Sequence, residues 1–149
     1  MVDEKFIGYQ FETSEYEITR WKISQFANAI RNDNPIYFDI EEAKKEGYKD
    51  IPIPPTFLTR MTFSGGGAAH CFSTLGIPYE KLLDGGREFK FYNQCYAGET
   101  INYQTKVDSI VVKEGKRGKM DIVTLITTGK NKDSNEIVFD THINLVVFH

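Results

Sequence analysis

The stretch RNDNPIYFD, residues 31 to 39, collects the side chains best suited to chemistry. Two acids, Asp33 and Asp39, flank an Asn-Pro pair, and a phenol follows at Tyr37. Asn and Asp side chains bind nearby backbone and proline fixes φ, so this set is built to hold something in a defined turn. The histidines offer less. His70 stands beside Cys71, and adjacent residues on a helix do not face each other, so they make no nucleophile–base pair. His142 lies in a strand-like run and His149 at the end of the sequence, and with only Cys71 and Cys95 there is no zinc spacing; no metal is expected. SGGGAA (64–69) lacks the lysine of a P-loop and the frame of a dinucleotide fingerprint, so no cofactor is expected either.

The elements that must position these residues follow from spacing. Residues 6 to 18 carry β-formers, with Phe6, Tyr9, Phe11, Tyr16 and Ile18 as apolar anchors of one strand. Thr19 caps a helix in which Trp21, Ile23, Phe26 and Ile30 recur at helical spacing, and Pro35 ends it. Asp39 and Glu42 cap a second short helix, closed by Gly47. DIPIPPTF must be extended, because each residue before a proline avoids the α region. Pro55 then leads a helix with Phe57, Leu58, Met61 and Phe63, which SGGGAA kinks before a second piece with Ala68, Ala69, Phe72 and Leu75. From residue 86 the chain turns to strands: REFKFYNQCY, INYQTKVDSIVV, MDIVTLITTGK and IVFDTHINLVVF, joined by short polar turns. One of those turns, KEGKRGK (113–119), holds Lys113, Lys116, Arg117 and Lys119 at a solvated tip. The whole reads as one α+β domain over 1–149, an antiparallel sheet of about five strands with a buried helix.

Composition bounds the partners. A net charge of −3 gives no general attraction to nucleic acid, and no run approaches the ~18 apolar residues of a membrane span. The start, MVDEKFIGYQFETSEYEITRW, has no basic segment followed by an apolar one, and two cysteines suit a reducing compartment, so a cytoplasmic protein is expected. INLVVF in the last strand would leave an apolar edge or face bare, so an oligomer is expected.

FANAIRNDNPIYFDIEEAKKEGYKDIPIPPTFL (26–58) resembles the hydratase motif of MaoC-like proteins, a family of (R)-specific enoyl-CoA hydratases and two-subunit 3-hydroxyacyl thioester dehydratases. LLDGGREFKFYNQCYAGETI (82–101) resembles the next landmark, an aromatic-rich strand ending in a Gly-acid-Thr turn, and FIGYQFETSEYEIT fits the start. The resemblance implies a hot-dog fold of the N-terminal type, with the sheet wrapped round a central helix. It implies a substrate-binding role for Asn34, Tyr37, Pro55, Phe57 and Gly66. Members that catalyse carry Gly-Asp, any residue, Asn-Pro-Ile and His; here those positions read Arg31, Asn32, Asp33, Asn34, Pro35, Ile36 and Tyr37.

The difference falls on the chemistry. Hydrating an enoyl thioester needs a carboxylate and an imidazole to activate water and move a proton. Asn32 holds a water but takes no proton. Tyr37 ionises about three units above neutrality, so its use as a base costs roughly 4 kcal/mol, about a thousandfold in rate. Asp33 is the one nearby substitute. Hot-dog thioesterases and the other dehydratase subfamily place an acid on the central helix, whereas residues 51 to 79 contain none. The expected molecule is a non-catalytic, acyl-thioester-binding subunit of a heteromeric dehydratase or hydratase. Its ligand would be an acyl-CoA or acyl-carrier-protein thioester, and its partner a second hot-dog subunit with the intact motif. The alternatives are a homodimer that binds acyl-CoA or another apolar ligand, and a divergent hydratase using Asp33 and Tyr37.

Overall fold

The computed structural model describes residues 1–63, 67–116 and 118–149; Gly66, Arg117 and the side chains of Phe63 and Ala68 lie outside the described residues. The chain runs through β1 (Ser14–Glu17), α1 (Arg20–Ala29), α2 (Ile40–Lys45), α3 (Phe57–Phe63), α4 (Gly67–Thr74), β2 (Leu82–Phe91), β3 (Thr100–Gly115), β4 (Gly118–Asn131) and β5 (Ile137–Phe148). Tight 3-10 turns occur at Glu4–Phe6, Pro35–Tyr37 and Tyr79–Lys81.

The strands form one five-stranded antiparallel sheet in the order β1-β3-β4-β5-β2. Alternation decides which face is covered: Val123, Leu125 and Thr127 of β4 and Phe139, Thr141, Ile143, Leu145 and Val147 of β5 all turn inward. Gly129 is required at its place, because a Cβ there would stand 2.3 Å from the ring of its cross-strand partner Phe139. α3 and α4 pack on that inward face. Phe57, Leu58 and Met61 are fully buried, as are Cys71, Phe72 and Leu75 to within a few per cent, and each large side chain of this kind contributes about 1.5–3 kcal/mol. This is the hot-dog arrangement, with α3 and α4 against the sheet; residues 64–66, where the kink was expected, lie outside the described residues.

Several expectations about elements need correction. The single strand over 6–18 is instead a turn at Glu4–Phe6, an isolated bridge from Gln10 to Lys106, and β1 alone. Residues 2–11 form an arm along the β3 edge, tied by Gly8 and Phe11 N–H groups to the carbonyls of Val107 and Thr105. In α1 the buried residues are Ile23 and Ala27, while Trp21 is 63% exposed and Ile30 is exposed too, because the helix touches the core along one narrow stripe. β2 starts at Leu82 and not at residue 86, since Asp84-Gly85-Gly86 forms a bulge inside the strand, with Gly86 at φ +123°. The charged turn is shorter than KEGKRGK, as Lys113 and Lys119 pair within β3 and β4. INLVVF is no edge: β5 lies between β4 and β2, and the edges of the sheet are β1 and β2.

One buried acid escaped notice in the sequence. Asp121 of β4 is wholly buried; its carboxylate accepts the Val2 N–H at 2.6 Å and meets His149 Nε2 at 2.8 Å. It fastens the tip of the arm and the end of β5 to the sheet centre.

Candidate functional site

The motif turn begins where α1 ends. The N–H of Arg31 bonds the Asn28 carbonyl and that of Asn32 bonds Ala27, a Schellman closure that puts Arg31 at φ +56°. The amides then serve as caps. Asn32 Oδ1 accepts from the Asn34 N–H at 3.0 Å, and Asn34 Oδ1 accepts from the Ile36 N–H at 3.2 Å, the N-cap of the Pro35–Tyr37 turn. Ile36 and Tyr37 turn into the core; Asp33 and Asn34 face solvent. Burial, then the neighbouring Tyr48 phenol, pushes the Tyr37 phenol above its ordinary value, which leaves still less of it as phenolate at neutral pH. The turn therefore carries a capping amide and a buried phenol at the two positions where catalytic members have an acid and an imidazole.

The extended segment and the Gly-acid-Thr turn lock together. The Ile53 N–H bonds the Cys95 carbonyl and the Ala97 N–H bonds Ile51, while Glu99 accepts the Tyr96 N–H and pairs with Lys49 at 2.8 Å. Pro54 then accepts the Phe57 N–H and launches α3. Phe57 is sealed between the rings of Tyr16 and Phe26, and Pro55 is exposed. Asn34 lines a polar surface groove with Pro35, Glu42, Glu46 and Tyr48. The residues named from the sequence as substrate-binding are therefore spread over a turn, a core and a surface, and Gly66 lies outside the described residues.

What the fold does enclose is an apolar cavity of ≈190 Å³ between α4 and the sheet. Its interior is formed by Phe11, Cys71, Phe72, Leu125, Ile143 and Leu145, all buried. Tyr103 and the paired hydroxyls of Thr105 and Thr127, 2.7 Å apart, complete the floor. Glu12, Ser14, Thr62 and His70 stand at its polar rim; Glu12 and His70 are exposed, and His70 meets the Phe11 ring edge-on. Burial pushes the Cys71 thiol up to about 11, so it lines the wall as an apolar surface and not as a nucleophile. The sequence hides this site because its lining comes from the N-terminal arm, α3, α4 and four strands, each an ordinary pattern on its own. Among the described residues, no cluster of three or more His, Cys, Asp or Glu is placed to hold a metal ion. Among them also, no helix is long and apolar enough to cross a membrane.

Comparison with known proteins agrees with the fold. The family model described as FAS1-like, dehydratase domain region matches residues 5–140. A UPF0336 protein of Streptomyces avermitilis is 34% identical over 110 residues, covering 73% of each chain. Among solved structures, the C-terminally truncated HadBC (3R-hydroxyacyl-ACP dehydratase) complex of Mycobacterium tuberculosis matches with a TM-score of 0.79 at 23% identity, over 95% of this chain and 96% of that one. A MaoC-like dehydratase matches with a TM-score of 0.83 at 22% identity, over 97% of this chain and 43% of its own longer chain.

Proposed function

We propose, from the premise that this chain belongs to the FAS1-like dehydratase domain region family of MaoC-like hot-dog proteins, that it is the non-catalytic, acyl-thioester-binding subunit of a heteromeric (R)-3-hydroxyacyl-thioester dehydratase or enoyl-CoA hydratase. One observation carries the reading: the turn that would hold the proton-moving pair is intact, yet its two key side chains are a capping amide, Asn32, and a buried phenol, Tyr37, while an apolar cavity persists beside the central helix. The roles divide accordingly. Asn32, Asn34 and Tyr37 keep the turn, Pro55 and Phe57 set the course of α3, and the cavity takes the acyl chain.

The partner brings the acid and the imidazole. Its seat is the outer edge of β2, which among the described residues pairs with β5 alone and as the last strand of the sheet presents its other backbone edge outward. The similar HadBC structure is that of a complex, which supports such an assembly. The unit acts as one hot-dog domain in the cytoplasm. Asp33 faces solvent while Tyr37 is buried, which weighs against a hydratase built on that pair.

Purifying the chain from its native cell tests the reading. A second hot-dog protein bearing Gly-Asp-x-Asn-Pro-x-His in stoichiometric amount is the expected companion. Recovery of this chain only as a complex with itself would reject the heteromer and leave a homodimeric binding protein.

A further inference from the structure

We propose that the cavity under α4 gauges its ligand twice: it admits an acyl chain of about six carbons, and its rim accepts a neutral conjugate while turning away the free carboxylate. This deepens the acyl-binding reading and rests on it. The length follows from volume. A cavity of about 150 Å³ holds a benzene and a water-sized unit takes about 30 Å³, so ≈190 Å³ is filled by about six methylene-sized units.

The direction of entry follows from the sheet order. Ser14 and Tyr103 lie on the β1–β3 side with the polar rim, and Ile143 and Leu145 lie two strands further in on β5. A chain that enters at the rim ends against Ile143 and Leu145. Between them Thr105 and Thr127 satisfy each other, so the passage asks for no oxygen on the ligand.

The discrimination follows from charge. Glu12 stands exposed at the rim, with His70, Ser14 and Thr62 around it. Its carboxylate accepts an N–H from the amide-bearing arm of a thioester. A free fatty acid bound the same way brings its own carboxylate beside Glu12, and like charges at such range weaken binding by about tenfold.

Calorimetric titration at pH 8, where histidines are ordinarily neutral, tests both limits. The probes are the butyryl, hexanoyl and dodecanoyl thioesters of N-acetylcysteamine, and hexanoate. The hexanoyl thioester binds tightest, the dodecanoyl thioester and hexanoate each about tenfold more weakly. Glu12→Gln, at an exposed position, brings hexanoate up toward the thioester. Leu145→Ala moves the preferred chain up by about three carbons, the number removed; if it does not fold, the unsubstituted series and Glu12→Gln still decide. Equal affinity for hexanoyl and dodecanoyl thioesters, or for hexanoate and the hexanoyl thioester, overturns the gauge and leaves acyl binding standing. No binding of any thioester overturns both.

Discussion

Arg31 sits where the chain needs a left-handed residue, at φ +56°, and a side chain there costs of order 1 kcal/mol. Arg31→Gly should therefore raise stability by about 1 kcal/mol, a rise of about 2–4 °C in Tm by calorimetry; no change would mean that the strain is absent. The same scale holds a second liability. The Thr141 hydroxyl is buried without a hydrogen-bond partner, so Thr141→Val should be neutral or stabilising by about 1 kcal/mol in urea unfolding, unlike most core changes. The buried thiols predict an alkaline limit. Burial raises Cys95 from 9.0 to about 12 and Cys71 to about 11, so folding favours the protonated thiols. Their contribution is complete below pH 9 and is lost as pH rises toward 12, by up to about 1.4 kcal/mol per unit for each thiol that ionises only when unfolded. Unfolding curves at pH 8 and pH 10.5 measure it, and Cys95→Ala should flatten the fall. The identities of Asn32 and Tyr37 were legible in the sequence because the motif around them is kept. The strained turn was not, since arginine gives no sign of a left-handed position, and neither was Asp121, whose partners lie 119 and 28 residues away.

Elements were legible where burial is periodic and obscure where long-range contacts decide. β3, β4 and β5 came from alternation, and α1 came from its Thr19 cap, whose hydroxyl oxygen accepts the Lys22 N–H. The arm did not, because the β-formers of residues 6–18 pair with β3 only in part, and Gly8 at φ +85° breaks the strand. The start of β2 was likewise placed at residue 86 and not at Leu82, because two glycines and a bulge interrupt the pattern that β5 pairs with. The arm supplies Phe11 to the cavity, with Glu12 following directly, and is fastened at its tip by Asp121. Asp121→Ala strands the Val2 N–H and releases His149, with a cost of about 1–3 kcal/mol. Its signature is faster amide exchange in residues 2–11; exchange unchanged there would show that backbone pairing alone holds the arm.

At the scale of the whole molecule, fold and family were legible from the motif and the order of elements, but INLVVF, expected as a bare apolar edge or face, lies inside the sheet with Ile143, Leu145 and Val147 buried. β2 is the long free edge, with Leu83, Phe91 and Tyr92 about half exposed along it. That edge is where a second hot-dog sheet would continue this one, and Phe91→Lys should weaken assembly in sedimentation without unfolding the chain. The central claim concerns what the assembled pair does and this chain alone does not. Hydration of crotonyl-CoA, followed with the purified chain, with a hot-dog partner carrying the intact motif, and with both together, tests it most directly. The account predicts no turnover by this chain and turnover by the pair that disappears when the partner's acid or imidazole is replaced. Hydration by this chain on its own would contradict it.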